Sequence, residues 1–112
     1  MIYHILTAEE WEAALKEEQY WPESVDVEGY IHCFTDKQLK TADGSSYPSG
    51  KELVLLKIDS AKLENLVIFE DLNESGTMYP HVYGYLNLDA VVSVTQIAND
   101  DTADLTKYIK EA

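Results

Sequence analysis

Apolar and polar positions alternate in short blocks along this chain, and the blocks predict a mixed set of strands and helices. Ile2 to Leu6 is apolar apart from His4 and reads as a strand. Thr7-Ala8-Glu9-Glu10 is a capping box that opens a helix from about Ala8 to Glu18, with Trp11, Ala14 and Leu15 as its buried stripe. Pro22 opposes continuation of this helix. Tyr30 to Phe34 is rich in aromatic and branched residues and predicts a strand. Thr35-Asp36-Lys37-Gln38 is a second capping box, opening a short helix through about Thr41 or Ala42, and Asp43 to Gly50 is a loop by composition.

The second half is strand-rich. Glu52 to Asp59 is almost wholly apolar and predicts a central strand, Ser60 to Glu64 a helical turn, and Leu66 to Glu70 another strand before the loop Asp71 to Thr77. Tyr79 to Tyr85 is extended but weakened by Pro80 and Gly84, and Ala90 to Ile97 is a further strand. Asn99-Asp100-Asp101 caps a final helix with Leu105, Tyr108 and Ile109 on its sticky face. Later strands follow one another through short connections, so the pattern favours an α+β fold over a doubly wound parallel sheet. With 112 residues the chain is read as a single domain, 1–112, long enough to bury a core without metal or disulfide staples.

Charge narrows the range of partners. The chain carries 21 acids against 8 bases, a net charge of −13, and every base is a lysine. Such a field repels nucleic acid and anionic lipid, and the bidentate guanidinium grip on phosphate is absent throughout. Solubility is the plainer reading of the acidity. No apolar run is of membrane-spanning length, and the start lacks a positive n-region, so a cytoplasmic location is expected. The lone cysteine, Cys33, fits a reducing compartment.

The candidate chemistry lies in three histidines on three strand-like segments. Strand alternation puts Tyr30, His32 and Phe34 on one face and Ile31 and Cys33 on the other. His32 and Cys33 therefore diverge, and Cys33 reads as core rather than nucleophile. The same alternation groups Tyr79, His81, Tyr83 and Tyr85, a row that is either an amphipathic face or a ligand surface. His4, inside an apolar strand, is as a lone residue best read as a core imidazole bonded to a backbone carbonyl. Three imidazoles brought together would make an acid–base site. A zinc site from His4, His32 and His81 with Glu28 or Glu70 lacks any supporting spacing, and no metal is expected. Twin His-x-Thr/Ser phosphoesterase motifs fail on spacing, because His32-Cys33-Phe34-Thr35 has one residue too many.

The segments Ile2-Tyr3-His4-Ile5, Trp11, Glu28 to Thr35, Leu53 to Asp59 and Tyr79 to Val92 together resemble domain-of-unknown-function family 952. The likeness runs in matching order through almost all of the chain and leaves only the last helix outside. Members are small bacterial proteins without an established activity. The resemblance implies a reduced ADP-ribosyltransferase-like fold, a split mixed or antiparallel sheet with flanking helices gripping NAD in a central cleft. It implies His4 at the position that holds a ribose, Gly29 to His32 on the nicotinamide strand, and His81 close to the position of a glutamate. An imidazole does not stabilise a cationic ribosyl transition state as a carboxylate does, so ordinary ADP-ribosyl transfer is not expected. The related tRNA 2′-phosphotransferases rely on arginines, which this chain lacks. The expectation is a cleft lined by His4, Tyr30, His32, Thr35, His81 and Tyr83 that binds NAD or a related nucleotide. His32 or His81 would be the acid–base group, and transferase or glycohydrolase chemistry would follow. The alternative is a non-enzymatic binding or regulatory module on the same scaffold.

Overall fold

A computed structural model describes residues 1–40, 52–72, 74–97 and 105–108. The first strand, β1 (Ile2–Thr7), is buried along its whole length. It leads directly into α1 (Ala8–Glu17) through the expected capping box. Thr7 Oγ1 accepts from the Glu10 amide at 3.1 Å, and the Thr7 amide donates to the Glu10 carboxylate at 2.9 Å. The helix ends in left-handed Glu18, well before Pro22. Pro22 instead precedes a short second helix, α2 (Glu23–Val27), which follows the two-residue β2 (Gln19–Tyr20). Neither β2 nor α2 is visible in the apolar pattern.

The remaining strands are β3 (Ile31–His32), β4 (Leu53–Ile58), β5 (Leu66–Glu70), β6 (Tyr79–Tyr83), β7 (Leu86–Asn87) and β8 (Val91–Ile97). They form two three-stranded antiparallel sheets, ordered β1-β4-β8 and β3-β6-β5, with β2 and β7 as a separate small pair. Single 3₁₀ turns occupy Gln38–Lys40, Ser60–Lys62, Leu88–Ala90 and Leu105–Tyr108. The sheet is thus split, and the mixed helix and antiparallel strand content is that of an α+β fold.

The join between the halves explains why β3 is shorter than the run Tyr30 to Phe34 suggests. Ile31 and His32 pair with Val82 and His81, and the Cys33 amide donates to Pro80 at 3.0 Å. Pro80 has no N–H to return, so the ladder with β6 stops there. Phe34 then pairs with Tyr3 through two reciprocal backbone bonds of 2.8 Å. One extended segment therefore ends its pairing with one sheet and begins pairing with the other.

Two apolar clusters pack against the sheets. Ile2, Leu6, Ala14, Tyr20, Ile31, Cys33, Leu56 and Val82 belong to one, and Tyr3, Ile5, Leu39, Leu55, Ile97 and Leu105 to the other. Alternation along β1 and β4 sends successive side chains into opposite clusters, which is why β1 is buried throughout and β4 at every position but Lys57. Cys33 is 1% exposed, and burial pushes its thiol far above the usual range, so it is inert core as its strand parity implies. The stripe assigned to α1 needs correction. Ala14 is buried and Trp11 packs against the first cluster, but Leu15 is 52% exposed. The helix rests on the core through Ala8, Trp11 and Ala14, and Leu15 stays half exposed to one side.

The short helix after Thr35 is a single 3₁₀ turn within the described residues, and its proposed end at Thr41 or Ala42 lies outside them, as do the Asp43 to Gly50 loop and the Asn99 to Asp101 cap. Among the described residues no helix is long and apolar enough to cross a membrane.

Burial predicts how side chains in these two settings respond to truncation. Leu56→Ala, at a fully buried position in β4, is expected to cost roughly 2–5 kcal/mol in urea unfolding. Leu15→Ala is expected to change stability by less than about 0.5 kcal/mol. Equal losses at the two positions would contradict the shallow seating of α1.

Candidate functional site

The outer face of the β3-β6-β5 sheet carries the polar aromatics. His32 lies directly opposite His81, and Ile68 lies opposite His81 on its other side. Inward-facing Ile31, Cys33, Pro80 and Val82 are core, so parity alone places His32, His81, Tyr79 and Tyr83 together on the other surface. The ring centroids of His32 and His81 are 5.3 Å apart. Tyr30 stacks on His81 at 4.3 Å, with an interplanar angle of 24°, and meets His32 edge-on at 4.9 Å.

Each of these two imidazoles has a carboxylate. Glu70, at the end of β5, accepts from His81 Nδ1 at 2.8 Å and from the Tyr83 hydroxyl, both on the same oxygen, Oε2. These two bonds hold the Glu70 carboxyl below its usual range, the Tyr83 bond foremost, and the same carboxylate pushes the Tyr83 phenol up to about 12. His32 Nε2 bonds Glu28 at 3.2 Å, an i, i+4 pair on the exposed surface. An ionised carboxylate only accepts, so His81 carries its proton on Nδ1. Nε2 of His81 has no protein partner. Among the described residues no sealed side-chain nitrogen or oxygen is left unpaired, so this atom opens to the cavity that His81 lines.

That cavity, about 360 Å³, also involves Glu28, Tyr30, His32, Phe34, Asp71 and Tyr79. A second cavity of about 550 Å³ adjoins it, and His32 and Phe34 line both. His4 lies on the second cavity, with a different environment. Its Nδ1 bonds the backbone oxygen of His32 at 2.6 Å and its Nε2 bonds the Tyr20 hydroxyl at 3.0 Å. Burial drives its imidazole down to about 4, so it is neutral at physiological pH. Carbonyl oxygen accepts, so Nδ1 is the donor and Nε2 accepts from Tyr20.

The structure thus brings His32, His81, Tyr30 and Tyr83 together and sets His4 apart as an internal anchor of the His32 backbone. Both of its ring nitrogens are bonded by protein, one by the His32 carbonyl oxygen and one by the Tyr20 hydroxyl. Thr35 is spent on capping, accepting from the Gln38 amide at 3.3 Å, and lines neither cavity. Tyr85 leaves the tyrosine row as well. Gly84 adopts φ +142°, and an added Cβ there would lie 2.6 Å from Asn65, so the strand breaks and Tyr85 stacks on Trp21 instead. Glu28 and Glu70 were named only as zinc ligands, yet each serves one imidazole. The Glu28 contact depends on the chain reversal at Gly29, φ +93°, and the Glu70 contact on strand pairing. Among the described residues no group of three or more His, Cys, Asp or Glu side chains converges as a metal cage.

The environment of His4 has a pH signature. Its pKa is depressed in the folded state, so the unfolded chain binds more protons between pH 6.5 and about 4. Stability from this group is complete above pH 6.5 and is lost as pH falls towards 4, by up to about 3 kcal/mol. Urea midpoints measured across this window should fall with pH in the wild type, and the His4 component should vanish in His4→Gln.

Three solved structures share the architecture. The crystal structure of protein CC0527 from Caulobacter crescentus aligns with a TM-score of 0.81 and 23% identity, covering 98% of each chain. A double mutant of the same protein aligns equally well at 22% identity. Its solution NMR structure gives a TM-score of 0.69 at 23% identity, over 97% of this chain and 96% of that one. At such identities the likeness speaks for the fold alone. No curated protein matches the chain. A family model covers residues 5–94, from within β1 to within β8, and by that match the chain belongs to the family described as "Protein of unknown function (DUF952)".

Proposed function

We propose that the face bearing His32 and His81 is an acid–base site, acting on a small ligand held in the two adjoining cavities. The observation that carries this reading is the Glu70–His81 pair. A carboxylate fixes Nδ1–H, and the opposite nitrogen opens to the cavity, which is the arrangement a general base requires. In the neutral ring Nε2 takes a proton from the ligand, and Glu70 stabilises the imidazolium that forms. His32, its ring 5.3 Å from that of His81 and its Nε2–H donated to Glu28, returns a proton to the leaving side from Nδ1 of its protonated ring. His4 keeps the His32 backbone in place from behind.

The ligand of this reading is NAD or a related nucleotide, with transferase or glycohydrolase chemistry on it, as the family resemblance implies. The paired cavities support a ligand in two parts, and Tyr30 and Phe34 offer surfaces for a planar base. No lysine lines either cavity among the described residues, so a nucleotide enters by base and ribose, with its phosphates towards solvent.

Titration calorimetry with NAD and ADP-ribose, followed by turnover assays on whichever binds, tests the reading. His81→Ala is expected to lower kcat by roughly 10²–10⁴ while leaving binding and fold in place. Glu70→Gln is expected to lower it by roughly tenfold or more, through loss of the fixed tautomer. Absence of heat with both ligands would remove the nucleotide. Binding without turnover, unchanged in His81→Ala, would leave a binding module.

A further inference from the structure

We infer that the cleft beneath His81 selects its ligand by charge, accepting a compact or planar cation that donates N–H and turning away phosphate and carboxylate. This rests on reading the His32–His81 face as a ligand cleft and goes on to name the charge of the part that enters.

The first observation is the polarity of the walls. Glu28, Glu70 and Asp71 line the cavity, and no lysine does so among the described residues. Asp71 accepts from the backbone amides of Ser75 at 2.9 Å and Gly76 at 2.7 Å, so its carboxylate is held ionised, as that of Glu70 is by Tyr83 and His81. A chain of net charge −13 adds to this field rather than offsetting it.

The second observation is the buried His81 ring itself, which points to a bound partner. The His81 side chain is only 5% exposed, yet its Nε2 has no protein partner and is not sealed. With Nδ1 holding the proton, Nε2 is an acceptor facing the cavity. Carboxylates accept too, so the groups gathered here call for a donor from the ligand. Phe34 and Tyr79 meet edge to face at 6.1 Å and 84°, and Tyr30 stands on His81; the faces of such rings carry negative potential that favours a cation. An anionic ligand would meet three carboxylates and an acceptor nitrogen, with no lysine among the described lining residues to offset them.

Benzamidine, benzamide and benzoate share one shape and differ in charge, which makes them suitable probes for the wild-type protein. Their binding is followed by NMR through the ring resonances of His32 and His81, at low and at high salt. Benzamidine should shift both rings and bind roughly tenfold or more tightly than benzamide, with no binding of benzoate. Salt should weaken benzamidine, and Glu28→Gln should narrow its lead. Benzoate binding as well as benzamidine, shifts confined to other residues, or no binding by any of the three would overturn the inference. The acid–base reading fails separately, through turnover that persists in His81→Ala, and neither outcome decides the other.

Discussion

The segment Ile31 to Phe34 must pair with two different strands within four residues, and the rest of the architecture follows from that constraint. Its first half is bound to β6 and its last residue to β1, with the changeover set by the missing N–H of Pro80. A strand fixed at both ends cannot slip by one residue, and a slip would turn every side chain to the opposite face. The direction of His32 is therefore decided by backbone pairing rather than by its own contacts. His4 reinforces the same point, since its imidazole holds the carbonyl oxygen of His32 from the core side.

Given that frame, the electrostatics of the outer face are local. Two imidazoles face each other, each with its own carboxylate, but the two environments differ. The His32–Glu28 pair is about half exposed and shares its charge with water. The His81–Glu70 pair is largely covered, and Glu70 divides one oxygen between a ring N–H and a phenol. The Tyr83 hydroxyl draws charge from the carboxylate that would otherwise act on His81 alone. Facing residues of identical type thus occupy two different electrostatic settings.

Much of the fold could be read from the chain because it rests on local chemistry. The capping box at Thr7, the apolar run of β4 and the parity that separates His32 from Cys33 all depend on near neighbours. What escaped reading depends on partners distant in sequence. Nothing near Glu70 announces that it will meet His81, eleven positions away, because the contact exists only once β5 and β6 pair. Nothing near His4 announces Tyr20, whose two-residue strand has no apolar signature. The tyrosine row misled for a local reason: alternation was carried through Gly84, where the backbone turns away. Leu15 misled because an apolar stripe marks which side of a helix faces the protein, without saying how far the protein extends beneath it.

The opposition of the two faces of β3 and β6 divides labour by odd and even position. Residues 31, 33, 80 and 82 supply cohesion, while 30, 32, 81 and 83 form the polar aromatic face on the same backbone. A scaffold divided in this way can exchange the side chains of its polar face while keeping the same interior.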